Sequence, residues 1–116
     1  MNCPYNCCQL TIKISIMVYI TQLIYVKPGE EETFDRFEAV AIPTILKYNG
    51  RLLLRLRPDA PAVIERDIDA PYEVHLVAFE TEADLQRFMQ DEERTRFLHL
   101  KAQSVERMLL IKGAAL

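Results

Sequence analysis

The hydrophobic pattern changes period in a set order along this chain, and that order limits the fold more than any single motif. "VYITQLIYV", Val18 to Val26, is rich in β-branched and aromatic residues and is stopped by Pro28-Gly29, the signature of a strand. Glu30 to Glu32 then suit the positive N-terminal end of a helix. Phe34, Phe37, Ala41, Ile45 and Tyr48 follow at spacings of three and four and form one apolar stripe. The helix is expected to run to about Tyr48, with Pro43 kinking or breaking it and Asn49-Gly50 supplying a left-handed cap. Alternation returns in "RLLLRLR", Arg51 to Arg57, and again in "YEVHLVAFE", Tyr72 to Glu80. Thr81 and Asp84 form a T-x-x-D start for a second helix with Leu85, Phe88 and Met89 as its stripe. Helical character resumes through "DEERTRFLHLKAQ", and a last strand runs from Val105 to Lys112.

The order β-α-β-β-α-β is the split βαβ pattern. It predicts an α+β, ferredoxin-like domain: a four-stranded antiparallel sheet with two helices on one face. Two helices leave the other sheet face uncovered. Burying three arginines beneath helices is costly, so Leu52, Leu54 and Leu56 are expected to face the helices. Tyr72, Val74, Leu76 and Ala78 are assigned to the same side. Glu73, His75, Val77 and Phe79 then share the open face with Arg51, Leu53, Arg55 and Arg57, joined by Tyr19, Thr21, Leu23 and Tyr25 from the first strand. Leu23, Leu53, Val77 and Phe79 would make an apolar patch too large to leave wet, so a second copy is expected to pack sheet against sheet.

A chain of 116 residues makes one domain, small enough for association to help it. The net charge of −3, with basic residues dispersed among acidic ones, argues against nucleic acid. The apolar run from Leu10 to Val26 is interrupted by Thr11, Lys13, Ser15, Thr21 and Gln22, which argues against a membrane span. Cys3, Cys7 and Cys8 all lie in the first eight residues, so the body reads as a cytoplasmic fold without bridges. Their C-x3-C-C spacing has no second ligand pair and does not suit a tetrahedral metal site. Residues 1–16 are expected to be an extension outside the fold, with Met17 as the natural start and residues 17–116 as the single domain.

"FEAVAIPTILKYNGRLLLR", "FETEADLQRFMQDEERTRF" and the closing "LLIKG" together resemble the dimeric α+β barrel superfamily. Within it the chain is most similar to the uncharacterised group called domain of unknown function 1330. Pro43, Tyr48, Gly50 and Arg51 match that group's pattern, whereas Asn49 replaces a glycine and Phe79-Glu80 stand in reversed order before Thr81. The loop from residue 58 to 71 is also longer than in the compact version. The resemblance covers roughly residues 17–113 and implies the fold and a homodimer. Relatives on this scaffold include cofactor-free monooxygenases, haem-degrading enzymes, isomerases and dismutating enzymes, so it implies function only broadly.

His75 is the candidate catalytic residue: imidazole changes charge near neutral pH and serves as a general base or hydrogen-bond donor. The competing reading pairs it structurally with Glu73 or a cross-strand arginine. Arg55 and Arg57 suit a carboxylate, enolate or phenolate, with Glu73 and Tyr19 completing a ligand-binding set. Their alternative is an ion pair to Glu73, Glu106 or the acidic loop of a partner subunit. His99 reads as partly buried and structural, and "DEER", residues 91–94, as a solvated helix face. Only Glu73 and His75 share a face at metal-ligand spacing, so no metal is expected. Three glycines in the whole chain leave no phosphate-binding loop, and no cofactor motif is present. Two functions fit: a cofactor-independent oxygenase or isomerase acting on a small apolar anionic molecule, or a non-catalytic small-molecule-binding or structural homodimer with arginine–carboxylate pairs in the barrel.

Overall fold

The computed structural model describes residues 16–116, so the cysteine cluster and nearly all of the expected extension lie outside the described residues. Four strands, β1 (Val18–Val26), β2 (Gly50–Leu56), β3 (Glu73–Phe79) and β4 (Val105–Gly113), form one antiparallel sheet in the order β2-β3-β1-β4. The helices are α1 (Glu31–Ile45), α2 (Glu82–Met89), α3 (Glu92–Arg96) and α4 (Leu98–Ser104), so the second expected helical region is three short pieces. Side-chain caps start the first two pieces, with Asp84 N–H donating to Thr81 Oγ1 at 3.0 Å and Arg94 N–H to Asp91 Oδ1 at 2.8 Å, whereas α4 starts at Phe97 without one.

Pro43 does not break α1. It sits in the last turn and its absent N–H falls opposite Ala39; both residues are exposed, so the unbonded carbonyl meets solvent. The chain then tightens into a 3₁₀ turn, Leu46–Tyr48, and Asn49 takes the left-handed conformation at φ 57° as expected. Gly50 follows because nothing larger fits: a Cβ there would lie 2.6 Å from the Phe79 ring and 2.7 Å from Ile45 Cγ2.

The structure reverses the expected faces of β3 and of most of β2. Val77 and Phe79 are buried beneath the helices in one core cluster with Ile20, Ile45 and Leu85, and Glu73 and His75 share their side of the strand. The two alternating sets of β3 are both largely apolar, and burying Phe79 and Val77 decides between them. In β2 the register shifts between Leu52 and Leu54. A bulge of this kind inverts the alternation beyond it. Leu52, opposite Val77, packs on the core, whereas Leu54 and Leu56 lie opposite Leu76 and Val74 on the open face. Arg55, opposite His75, is thereby turned to the helix side, and Arg57 beyond it reaches the same carboxylate.

The first-strand assignment holds for Tyr19, Thr21 and Leu23, which pair with Ala78, Leu76 and Val74 on the uncovered face, whereas Tyr25 is buried with its hydroxyl donating to the Asp69 carbonyl at 2.6 Å. That face also carries Leu109 and Ile111 of β4, opposite Leu23 and Thr21. It is more apolar than the sequence reading made it.

Candidate functional site

Between the helices and the sheet lies a cavity of about 70 Å³. Its walls are mainly aliphatic and aromatic, including Ile20, Phe34, Phe37, Val77 and Phe79, and its titratable or polar members are Gln22, Glu38, His75, Arg94 and Lys101. The volume is about half the ~150 Å³ that admits benzene. Met89, Met108 and Leu110 border the cavity, and Met89 and Leu110 are 42 % and 48 % exposed. A guest the size of benzene would require these flexible thioether side chains to move.

His75 and Glu73 come from alternate positions of β3, and Glu38 comes from α1 above them. His75 Nε2 donates to Glu73 Oε2 and lies 3.4 Å from Glu38 Oε2. Glu73 is fully buried. It also accepts from Arg55 Nε at 2.8 Å and from Arg57 Nε at 2.7 Å, and Arg57 Nη2 reaches on to Asp35 Oδ1 at 2.6 Å. Burial alone would push the Glu73 carboxyl up; hydrogen bonds from His75, Arg55 and Arg57 outweigh it and hold the group down at about 2. Glu38 behaves oppositely. Burial pushes its carboxyl above the ordinary value, and the neighbouring charge of Glu73 adds to the rise, against the lowering influence of His75 and Arg55.

Two carboxylates thus face the same imidazole nitrogen, Nε2, in different states. Glu73 is a fixed anion that orients the ring, and its bond to Nε2–H leaves the lone pair of a neutral imidazole on Nδ1. Glu38, on the cavity wall, is poised to carry a proton. The donor atoms of Glu38, Glu73 and His75 all lie within 4.8 Å of one another. A divalent cation does not fit them well, because both Glu73 oxygens already accept from guanidinium groups and the ion would face two positive charges.

Of the expected ligand-binding set, Arg55, Arg57 and Glu73 converge, but on one another. The arginines border a shallow outer groove with Asp35, Ala39 and Leu56, on the far side of Glu73 from the cavity. Tyr19 is on the opposite face of the sheet and does not approach His75. His99 is exposed and stacks on Phe97 at 6.3 Å between ring centroids, so it is not part of any core. "DEER" is a solvated face only in its middle: Glu92 and Glu93 are exposed, whereas Asp91 and Arg94 are buried. Sequence reasoning missed Glu38, Arg94 and Lys101. All three carry a readable signal, since Glu38 stands within the stripe Phe34, Phe37, Ala41 and Ile45, and Arg94, Phe97 and Lys101 follow at spacings of three and four.

No protein-family model matches the chain, and no curated protein matches it. Solved structures do. A protein of unknown function from Rhodopseudomonas palustris superimposes with a TM-score of 0.74 at 12% identity, covering 96% of this chain and 92% of its own. A dabb-family protein with a ferredoxin-like fold from Mesorhizobium loti gives 0.63 at 21% identity over 87% and 98%. A dimeric protein of unknown function with a ferredoxin-like fold from Bacteroides fragilis gives 0.61 at 11% over 85% and 96%. The chain is a ferredoxin-like α+β domain. At such identities the likeness is one of fold, and the fold alone does not specify an activity. Among the described residues no helix is long and apolar enough to cross a membrane.

Proposed function

We propose that this chain is a cytoplasmic homodimeric α+β barrel protein, allied to the domain of unknown function 1330 group, that performs acid–base chemistry on a small apolar molecule with an acidic head. The isomerase or cofactor-independent oxygenase types suit such a site. The observation that carries the reading is the buried His75, held by Glu73 and facing Glu38 at the wall of an apolar cavity. A locked carboxylate, an imidazole and a second carboxyl of raised proton affinity are the parts needed to take a proton from carbon or oxygen and return it elsewhere. The apolar walls exclude water and strengthen every charge interaction inside.

In this reading Arg55 and Arg57 are positioning residues. They hold Glu73 ionised, and Glu73 holds His75; neither guanidinium touches the cavity lining. The dimer is supported by the uncovered face, where Leu23, Leu54, Leu56, Val74, Leu76, Leu109 and Ile111 form a continuous apolar surface on four strands. It is also supported by the dimeric description of the Bacteroides fragilis neighbour.

A second reading, a binding module without turnover, is favoured by one fact: both arginines are already occupied by Glu73 and Asp35. Deuterium uptake at the α-carbons of cyclopentanone in deuterium oxide, followed by proton NMR, separates the two. The catalytic reading expects acceleration over buffer that His75→Gln abolishes while the dimer persists. Equal rates for the variant and the unsubstituted protein would remove His75 from the chemistry.

A further inference from the structure

Arg94 is a largely buried arginine that spends little of its bonding capacity on the protein, and its unbonded nitrogens keep some accessible surface. The residue is 7 % exposed, yet among the described residues no carboxylate comes within ion-pair distance of its guanidinium. Its one side-chain hydrogen bond runs from Nη1 to the Met89 carbonyl at 3.2 Å. A guanidinium carries five N–H donors in a planar fork. The acid that caps its own helix is committed elsewhere: Asp91 accepts from Tyr48 Oη at 2.6 Å and from the backbone N–H of Arg94 itself. The fork is instead held in place by aromatic rings, 5.1 Å from the Phe88 centroid and 6.0 Å from that of Phe37.

Lys101 stands on α4 at the same cavity wall, and among the described residues it has no carboxylate partner either. Burial lowers the proton affinity of both groups, Arg94 adds to the lowering at Lys101, and Glu38 acts the other way on each. The charged lining of the cavity is therefore two cations against the single carboxyl of Glu38. A buried, pre-oriented fork beside an ammonium, opening on a small apolar space, matches one ligand chemistry: a monoanion with a short hydrocarbon body.

We propose that Arg94 and Lys101 form the anion-binding subsite of the cavity and bind the carboxylate or enolate of the molecule presented to His75. The subsite rests on the acid–base reading of His75 but is separable from it. It assigns to Arg94 and Lys101 the ligand contact that the sequence pattern had suggested for Arg55 and Arg57.

Titration with propionate and its neutral isostere propionamide, small enough for the cavity, read by calorimetry, tests it. The unsubstituted protein is expected to bind the carboxylate and not the amide. Arg94→Met keeps the stem on the aromatic rings and should weaken carboxylate binding by about tenfold or more. Lys101→Gln, at a partly exposed position tolerant of change, should weaken it severalfold. Lys47→Gln, which removes a surface cation paired to Glu93, should leave binding unchanged. Equal affinity for acid and amide, no binding of either, or undiminished carboxylate affinity in both Arg94→Met and Lys101→Gln overturns the subsite. Cyclopentanone exchange distinguishes the layers. If exchange persists and depends on His75 while the carboxylate result fails, the subsite falls alone; if exchange also fails, the acid–base reading falls with it.

Discussion

Replacing Glu73 with Gln tests the electrostatic centre of the molecule. The Glu73 carboxyl ionises at about 2 in the folded protein, against an ordinary value of 4.5. That difference favours the folded state by on the order of 3 kcal/mol once the group is ionised in both states. The sign follows from the direction: a depressed folded value gives stability that is present above about pH 4.5 and is lost as pH falls toward about 2. An amide cannot replace the carboxylate, because Glu73 accepts from Arg55, Arg57 and His75 through two oxygens. Gln offers one acceptor oxygen and turns its NH₂ toward a guanidinium. Breaking a buried ion pair from one side costs roughly 3–5 kcal/mol, in agreement with the titration figure. Urea unfolding by circular dichroism, at one fixed protein concentration because the stability of the proposed dimer would depend on it, gives the free energies. Glu73→Gln should lie about 3 kcal/mol below the parent at neutral pH. The gap should narrow in acid, at up to ~1.4 kcal/mol per pH unit. A neutral-pH gap below about 1 kcal/mol, or a gap that stays constant down to about pH 2, would refute the assignment of Glu73 as the ionised anchor.

Two further outcomes follow from packing. Gly50→Ala drives a methyl into the Phe79 ring and Ile45 and should cost about 1–3 kcal/mol, seen as a lowered thermal midpoint; an unchanged midpoint would mean that β2 is free to move away from the core. The double variant Leu54→Lys, Ile111→Lys places charges on two exposed apolar positions of the open sheet face and should halve the mass found by light scattering without loss of circular dichroism; a persisting dimer would place the interface elsewhere.

The fold was legible because periodicity fixes element type, and β1 was read with its observed bounds, Val18–Val26. The faces of β2 and β3 were not legible, for two linked reasons. A bulge between Leu52 and Leu54 leaves no mark in a run of three leucines, yet it moves every later side chain to the other side. The rule that arginines avoid the covered face then pointed the wrong way, because it holds for unpaired charges. Here Glu73 travels with Arg55 and Arg57, and with Asp35 beside them the charges balance where the helix layer meets the sheet. His75 was legible as a residue of interest but not its partner Glu38, which reaches it from α1 across a separation no strand pattern contains.

The same reasoning shows why the cationic wall of the cavity was hidden. A charged residue inside an apolar helical stripe is ordinarily discounted as lying at the stripe's edge, and Glu38, Arg94 and Lys101 were passed over in that way. When several such interruptions come from separate helices, topology decides whether they meet. In this fold α3 and α4 both pack against α1, so three residues unremarkable in their own segments become the charged lining of one apolar space. Each costs desolvation free energy that a solvated face would not. Glu38 answers part of that cost through His75. Arg94 and Lys101 feel the attraction of Glu38 but form no ion pair among the described residues, which is the ground for proposing that a bound anion completes them.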